Sequence, residues 1–200
     1  FFLAALADAL VAARARSVAV LYVDLDGFKQ VNDTEGHAAG DRLLELVSAR
    51  LRGLVRPDDI VARLGGDEFG IMIRDTDAEG ASSWGAKRIA RQLANSFRLD
   101  GRLVEVSAST GVALNEQGTE DADRLLRNAD MAMFRAKANG RSAFVRFETA
   151  MHDALMQRVR TREELRRGLV AGELVVHYQP VVELRSGSVV GAEALVRWLH

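Results

Sequence analysis

An α+β fold is predicted for this chain, a ferredoxin-like sheet with helices packed on its faces, most of them on one. Three observations lead there. Val18–Asp26 is a continuous apolar, β-rich run, as expected of a strand buried on both faces. Two short apolar runs, Ile60–Ala62 and Phe69–Ile73, flank Gly65-Gly66, the pattern of a tight hairpin. Stretches with apolar residues at helical spacing separate the strand-like segments, giving the order helix, β, α, β-hairpin-β, α, β, α, β.

Composition bounds the function. The chain has 200 residues, 27 Lys and Arg against 28 Asp and Glu, and a formal net charge of -1. At 48% hydrophobic and 28% charged it has the composition of a soluble globular protein, long enough for one ordinary domain and part of another. Near-zero net charge argues against nucleic-acid binding and against direct membrane contact. No apolar run is long enough to span a bilayer. Without cysteine there are no disulfides or thiolate sites, so a metal needs oxygen ligands or one of the four histidines.

Residues 1–16 read as an amphipathic helix with Leu3, Leu6 and Leu10 on one face. Asp8 interrupts what would otherwise resemble a signal core, and the absence of an initiator Met suggests a piece of something longer. The strand that follows ends in Asp24-Leu25-Asp26, and alternation puts both acids on one face. Gly27-Phe28-Lys29 leads into a short helix to about Asn32-Asp33; a glycine turn at a helix start leaves N–H groups free to cradle phosphate. The plainer reading of Asp26 is a cap for that helix. Gly36 to Asp41 opens a second helix, with Leu43, Leu44, Val47 and Leu51 at helical spacing, running to about Val55 before Pro57. Asp41 suits the first turn of that helix, and His37 reads as structural.

Arg56–Asp59 forms a turn into the hairpin, whose second strand ends near Arg74. A helix over 77–96, strands near Leu99 and over 103–114, a helix over 120–137 and a strand over 142–147 complete the first domain. The pattern changes near 148, which divides the chain into domains of 1–147 and 148–200. The second begins with a charged helix over 151–170, followed by strands over 174–182 and 189–196.

One feature does not suit a structural hairpin. Asp67 and Glu68 place adjacent acids on the turn, where they repel each other unless a cation or donors compensate. That is a place for a metal or phosphate site.

Gly65-Gly66-Asp67-Glu68-Phe69 is similar to the signature of the GGDEF family, the diguanylate cyclases. So are, in order, Asp24 to Lys29, Asn32-Asp33, Gly36-His37, Gly40-Asp41 and Ala136 to Arg141. Position 67 is Asp rather than Glu, and the family accepts either. The resemblance implies a nucleotidyl-cyclase-like sheet and the condensation of two GTP molecules to cyclic di-GMP with release of two pyrophosphates. It implies Mg2+ or Mn2+ as cofactor and a homodimer in which each subunit brings one GTP. Carried over residue by residue, Asp24, the Leu25 carbonyl and Asp67 hold the metal. Glu68, with Asp67, is the catalytic candidate, either activating the 3′-hydroxyl or supporting the metal. Gly27, Phe28 and Lys29 offer N–H groups to phosphate, Asn32 and Asp41 read guanine, and Lys137 and Arg141 meet the terminal phosphates. For the last two the plainer reading is pairing with the helix dipole. Arg56 and Asp59 resemble the family's inhibitory RxxD site for cyclic di-GMP, against the plainer reading of a surface ion pair.

Tyr178 to Val181 and Gly191 to Trp198 resemble the start of the EAL family, the cyclic di-GMP phosphodiesterases. There Glu193 corresponds to a metal carboxylate, and Gln179 and Arg197 to substrate contacts. His200 precedes the other expected ligands, so a phosphodiesterase site is expected to be incomplete in this chain. The resemblance places the segment in the bacterial cytoplasm, in a GGDEF–EAL signalling hybrid with or without a membrane anchor. Two alternatives stay open: a GTP-binding module that regulates an EAL enzyme, and a cyclic di-GMP receptor acting through Arg56 and Asp59.

Overall fold

The computed structural model describes residues 1–12, 18–115 and 121–199, without the side chains of 82–84 and 158–159. The end of the expected first helix and the start of the one at 120 lie outside the described residues. The chain divides into two compact units, Phe1–Met151 and His152–His200.

The first unit is built on β1 (Val18–Asp26), buried along nearly its whole length. It lies at the centre of a five-stranded sheet. On one side it pairs antiparallel with β3 (Glu68–Arg74), which pairs with β2 (Ile60–Gly65). On the other it pairs antiparallel with β6 (Ser107–Asn115), which carries the parallel edge strand β7 (Phe144–Arg146). The order β2-β3-β1-β6 is that of a ferredoxin-like core, as the element sequence predicts. Of the helices, α2 (Phe28–Glu35), α3 (His37–Arg52) and α4 (Lys87–Leu93) bury Phe28, Val31, Leu43, Leu51 and Ile89 against Leu21, Val23 and Ile71 on one face. On the other face, α1 (Phe2–Ala12) and α5 (Ala122–Ala138) bury Phe2, Leu6, Leu125 and Ala129 against Val18, Val20 and Met72.

Several expectations shift in detail. The hairpin turn is Gly66-Asp67 rather than the two glycines: Gly65 pairs with Glu68, and only Gly66 takes a positive φ, of 51°. The helix expected over 77–96 is a π-helical stretch, Gly80–Ala86, followed by α4. Gly85 lies so close to Ile73 and Leu21 that a Cβ would stand 3.0 Å from the first and 3.2 Å from the second. The strand expected over 103–114 breaks before Ser107. Its start forms a separate small hairpin, β4 (Phe97–Leu99) and β5 (Arg102–Val104), closed by Asp100-Gly101 with φ of 48° and 89°. On α5, Phe134 is 66% exposed while its neighbour Met133 is buried.

Asp26 does not cap α2. The cap position is Gly27, at φ 85°, and no side chain bonds to it. Asp121 caps α5, accepting from the Arg124 N–H at 2.6 Å.

In the second unit, β8 (Leu174–Val182) and β9 (Val189–Trp198) form an antiparallel ribbon. They follow α6, Thr149–Ala171. Trp198 Nε1 donates to Glu173 Oε2 at 3.0 Å, closing the base of the ribbon.

Candidate active site

The carboxyl end of β1 and the β2–β3 turn meet because of register. Asp24 stands directly opposite Glu68, and the Leu25 N–H donates to the Asp67 carbonyl at 3.2 Å. The acids at 24, 67 and 68, separated by more than forty residues of chain, therefore share one corner of the sheet. Asp24 is 6% exposed. Its compensation comes from the last turn of α5, where Lys137 Nζ donates to Asp24 Oδ2 at 2.6 Å. Burial nonetheless holds the Asp24 carboxyl above the usual aspartate range; Lys137 opposes the rise, and the charges of Asp67 and Asp26 add to it. A buried anion with one cationic partner and two anionic neighbours is a good host for a further cation.

Two residues absent from the sequence reading belong to this corner. Tyr22, two positions before Asp24 on the same face, donates its hydroxyl to Glu68 Oε2 at 2.9 Å. Burial, then the bond to Glu68, raise the phenol well above its usual range, so it stays a donor at any working pH. Asp130, two helical turns before Lys137 on α5, has its carboxyl raised by burial and by the charge of Glu68, with Lys137 opposing. Alternation along β1 points to Tyr22, and the seven-residue spacing on α5 points to Asp130. Tyr22→Phe removes the bond to Glu68 but keeps the ring in its apolar bed. It is expected to leave the melting temperature within about 2 °C of the parent, measured by thermal melts.

The remaining predicted residues lie as follows. The Phe28 side chain is core, 9% exposed, so only its backbone faces the Gly27 turn. Asn32 reaches the start of α3 because residue 40 is glycine: a Cβ there would stand 1.8 Å from Asn32 Oδ1. That brings Asn32 beside the turn that bears Asp41, whose side chain is exposed, as is that of Lys29. Arg141 is exposed, its Nε 3.8 Å from Asp26 Oδ1.

Arg56 and Asp59 line a separate open cleft of 430 Å³ with Phe1, Arg52, Pro57 and Val61. Asp59 is buried and braces the turn. Its two oxygens accept the Arg56 N–H at 2.9 Å and the Arg74 N–H at 3.1 Å, each keeping a further lone pair. In the second unit Gln179 stands opposite Glu193, and Arg197 lies on the same face four pairs along, opposite Val175. Among the described residues no three His, Cys, Asp or Glu side chains gather as a self-sufficient metal centre. Among the described residues no helix is long and apolar enough to cross a membrane.

Comparison with known proteins identifies the family. Residues 1–143 match the model of the diguanylate cyclase GGDEF domain, and residues 162–200 match that of the EAL domain. The chain is 40% identical over 185 residues to the bifunctional diguanylate cyclase/cyclic di-GMP phosphodiesterase MucR of Pseudomonas aeruginosa, covering 92% of this chain and 27% of that protein. It is 39% identical over 181 residues to the cyclic di-GMP phosphodiesterase PdeR of Escherichia coli, covering 90% of this chain and 27% of that one. The chain thus spans about a quarter of the curated relatives it matches. Among solved structures, the GGDEF domain of YfiN (TpbB) from P. aeruginosa superposes with a TM-score of 0.74 at 37% identity, covering 78% of this chain and 92% of that one. The active GGEEF domain of a Vibrio cholerae diguanylate cyclase gives 0.68 at 25% identity, covering 74% and 95%. The chain therefore belongs to the GGDEF family of diguanylate cyclase domains, here joined to the opening of an EAL domain.

Proposed function

We propose that the first unit is a Mg2+-dependent diguanylate cyclase that condenses two GTP molecules to cyclic di-GMP, within a GGDEF–EAL hybrid. The observation that carries this reading is the meeting of Asp24, Asp67 and Glu68 at one sheet corner, with Lys137 on Asp24. Two carboxylates and the Leu25 carbonyl form a hard oxygen set of the kind magnesium accepts when a nucleotide and water complete its shell. When bound, the cation would supply charge neutralisation for the triphosphate.

The chain's own residues do the rest. Asn32 and Asp41 would read the guanine edge, the amide and carboxylate together offering a pattern adenine lacks. The uncapped N–H groups at Gly27–Lys29 would meet phosphate oxygens at the start of α2. Lys137 and Arg141 would take the terminal phosphates, Lys137 leaving Asp24 as it does so. Glu68, held by Tyr22, would accept the 3′-hydroxyl proton or brace the metal ligands. One subunit binds one GTP, so attack of a 3′-hydroxyl on the partner's α-phosphate requires a homodimer with the two sites face to face. The test is GTP turnover by the full chain fused to a dimerising coil, with Mg2+ present. Cyclic di-GMP and pyrophosphate in a 1:2 ratio support the reading, and neither product at saturating GTP contradicts it.

A second reading has specific support: NbdA of P. aeruginosa, 38% identical, and PdeR are both named as cyclic di-GMP phosphodiesterases. On this reading the first unit of the present chain would bind GTP and regulate the EAL enzyme without turnover. GTP binding without product, with GTP-stimulated cyclic di-GMP hydrolysis by the whole protein, favours it.

Arg56 would fork onto cyclic di-GMP in the open cleft beside Asp59. Arg56→Ala is the cleaner variant, because Asp59 also braces the turn. It is expected to raise the cyclic di-GMP concentration for half-inhibition about tenfold or more, with uninhibited turnover unchanged, measured by product-inhibition titration.

A further inference from the structure

We propose that Asp26 is a positioning residue for the nucleotide's terminal phosphates: it holds the Arg141–Ser142 turn in the conformation that sets Arg141 beside the acidic corner. The role rests on the site reading above.

Asp26 has no catalytic or capping duty. Asp26 is the last residue of β1 and is 9% exposed. It lies two residues beyond Asp24 on the same face, about 7 Å along the strand. Three donors converge on its carboxylate. Ser109 Oγ donates at 3.0 Å, and Ser107 Oγ at 3.2 Å, both from the neighbouring strand β6. The third is the backbone N–H of Ser142, at 3.1 Å, from the loop after α5. The Arg141 guanidinium is next to it, at 3.8 Å.

That loop is unusual. Gly140, Arg141 and Ser142 have φ of 114°, 63° and 50°, so two side-chain-bearing residues in succession adopt a left-handed backbone. Side chains disfavour that region, and such a pair persists only where its surroundings over-determine it. At this point the chain must turn sharply between Lys137, which meets Asp24, and Ala143, whose carbonyl accepts from Thr110 at 2.9 Å. The Asp26–Ser142 bond fixes the turn from inside.

Two serine hydroxyls alone could be satisfied by a neutral acceptor. A carboxylate adds a charge-assisted bond to the Ser142 N–H and an attraction for Arg141. Without it the Ser142 N–H loses its partner, the left-handed pair relaxes, and Arg141 leaves the neighbourhood of Lys137.

The test uses the full chain with Mg2+ and a labelled, non-hydrolysable GTP analogue, read by fluorescence anisotropy. Amide exchange at Ser142 is measured in parallel. Asp26→Ala is expected to weaken binding about tenfold, and Asp26→Asn, the variant more certain to fold, by less. Neither adds to the loss caused by Arg141→Ala, because Asp26 acts through Arg141. Ser142 exchange is expected to accelerate in both Asp26 variants, while the Asp26→Asn melting temperature stays within a few degrees of the parent. Additive losses in the double variants, or unchanged Ser142 exchange in folded Asp26→Asn, overturn the role of Asp26 and leave the site reading standing. Wild-type protein that does not bind the analogue overturns the site reading and this role together.

Discussion

Asp24→Asn is expected to abolish cyclic di-GMP synthesis, a loss of about a thousandfold or more, without lowering the melting temperature at neutral pH. Most substitutions of a buried, salt-bridged residue destabilise, so the sign needs argument. Burial is the largest influence on the Asp24 carboxyl and raises it above the usual aspartate range, with Lys137 only partly offsetting. A carboxyl raised by folding binds more protons in the folded state than in the unfolded. Stability therefore falls as pH climbs from the ordinary aspartate range through the raised value, and the penalty grows with pH across that window. Asparagine removes that penalty. The partner it leaves behind is the Lys137 side chain, 33% exposed, whose ammonium returns to water rather than remaining a buried orphan. Thermal melts at pH 4.5 and 7.5 check this: the variant melts no lower than the parent at pH 7.5, and its advantage shrinks at pH 4.5. Activity and stability falling together at pH 7.5 would mark Asp24 as an architectural residue.

Gly111→Ala carries the largest expected effect on stability, about 3 kcal/mol or more, or roughly 10 °C in melting temperature. Gly111 lies on β6 opposite Tyr22, where α5 crosses the sheet. A Cβ there would stand 1.9 Å from the Ala129 carbonyl oxygen and 2.2 Å from the Met133 nitrogen. Both are backbone atoms of the helix, so no rotamer change relieves the clash and α5 must lift away. Because α5 carries Lys137 and Asp130, the same displacement pulls the ammonium off Asp24. Gly65→Ala is the control. It has open space around its Cβ position and no positive φ, so it is expected to shift stability by less than about 0.5 kcal/mol. Scanning fluorimetry on the two variants separates a close-packing glycine from a merely permissive one.

The strands and their order were legible because this fold writes them in strong local signals. Val18–Asp26 has a burial pattern without an exposed position, and its sequence is apolar until the acids begin. The convergence of Asp24 with Asp67 and Glu68 was legible only through the family resemblance, since the Asp24–Glu68 register is a pairing across the fold that no local pattern encodes. Tyr22 was hidden by its own strand, where a tyrosine reads as one more β-former until its hydroxyl is seen on Glu68. Asp26 misled for a related reason. An acid before a helix is most simply a cap, but here Gly27 takes the cap position and the carboxylate turns to β6 and the loop after α5. The π-helical stretch at Gly80–Ala86 escaped because Gly85 is dictated by its approach to Leu21 and Ile73, a tertiary fact.

On the proposed function, Asp24 and Asp67 hold one cation jointly with the nucleotide's phosphates. Mn2+ titration of the full chain by electron paramagnetic resonance, with and without a non-hydrolysable GTP analogue, tests it most directly. Nucleotide-dependent Mn2+ retention is expected, weakening at least about tenfold in Asp24→Asn and again in Asp67→Asn, each taken singly. Retention in either variant equal to that of the parent would contradict it.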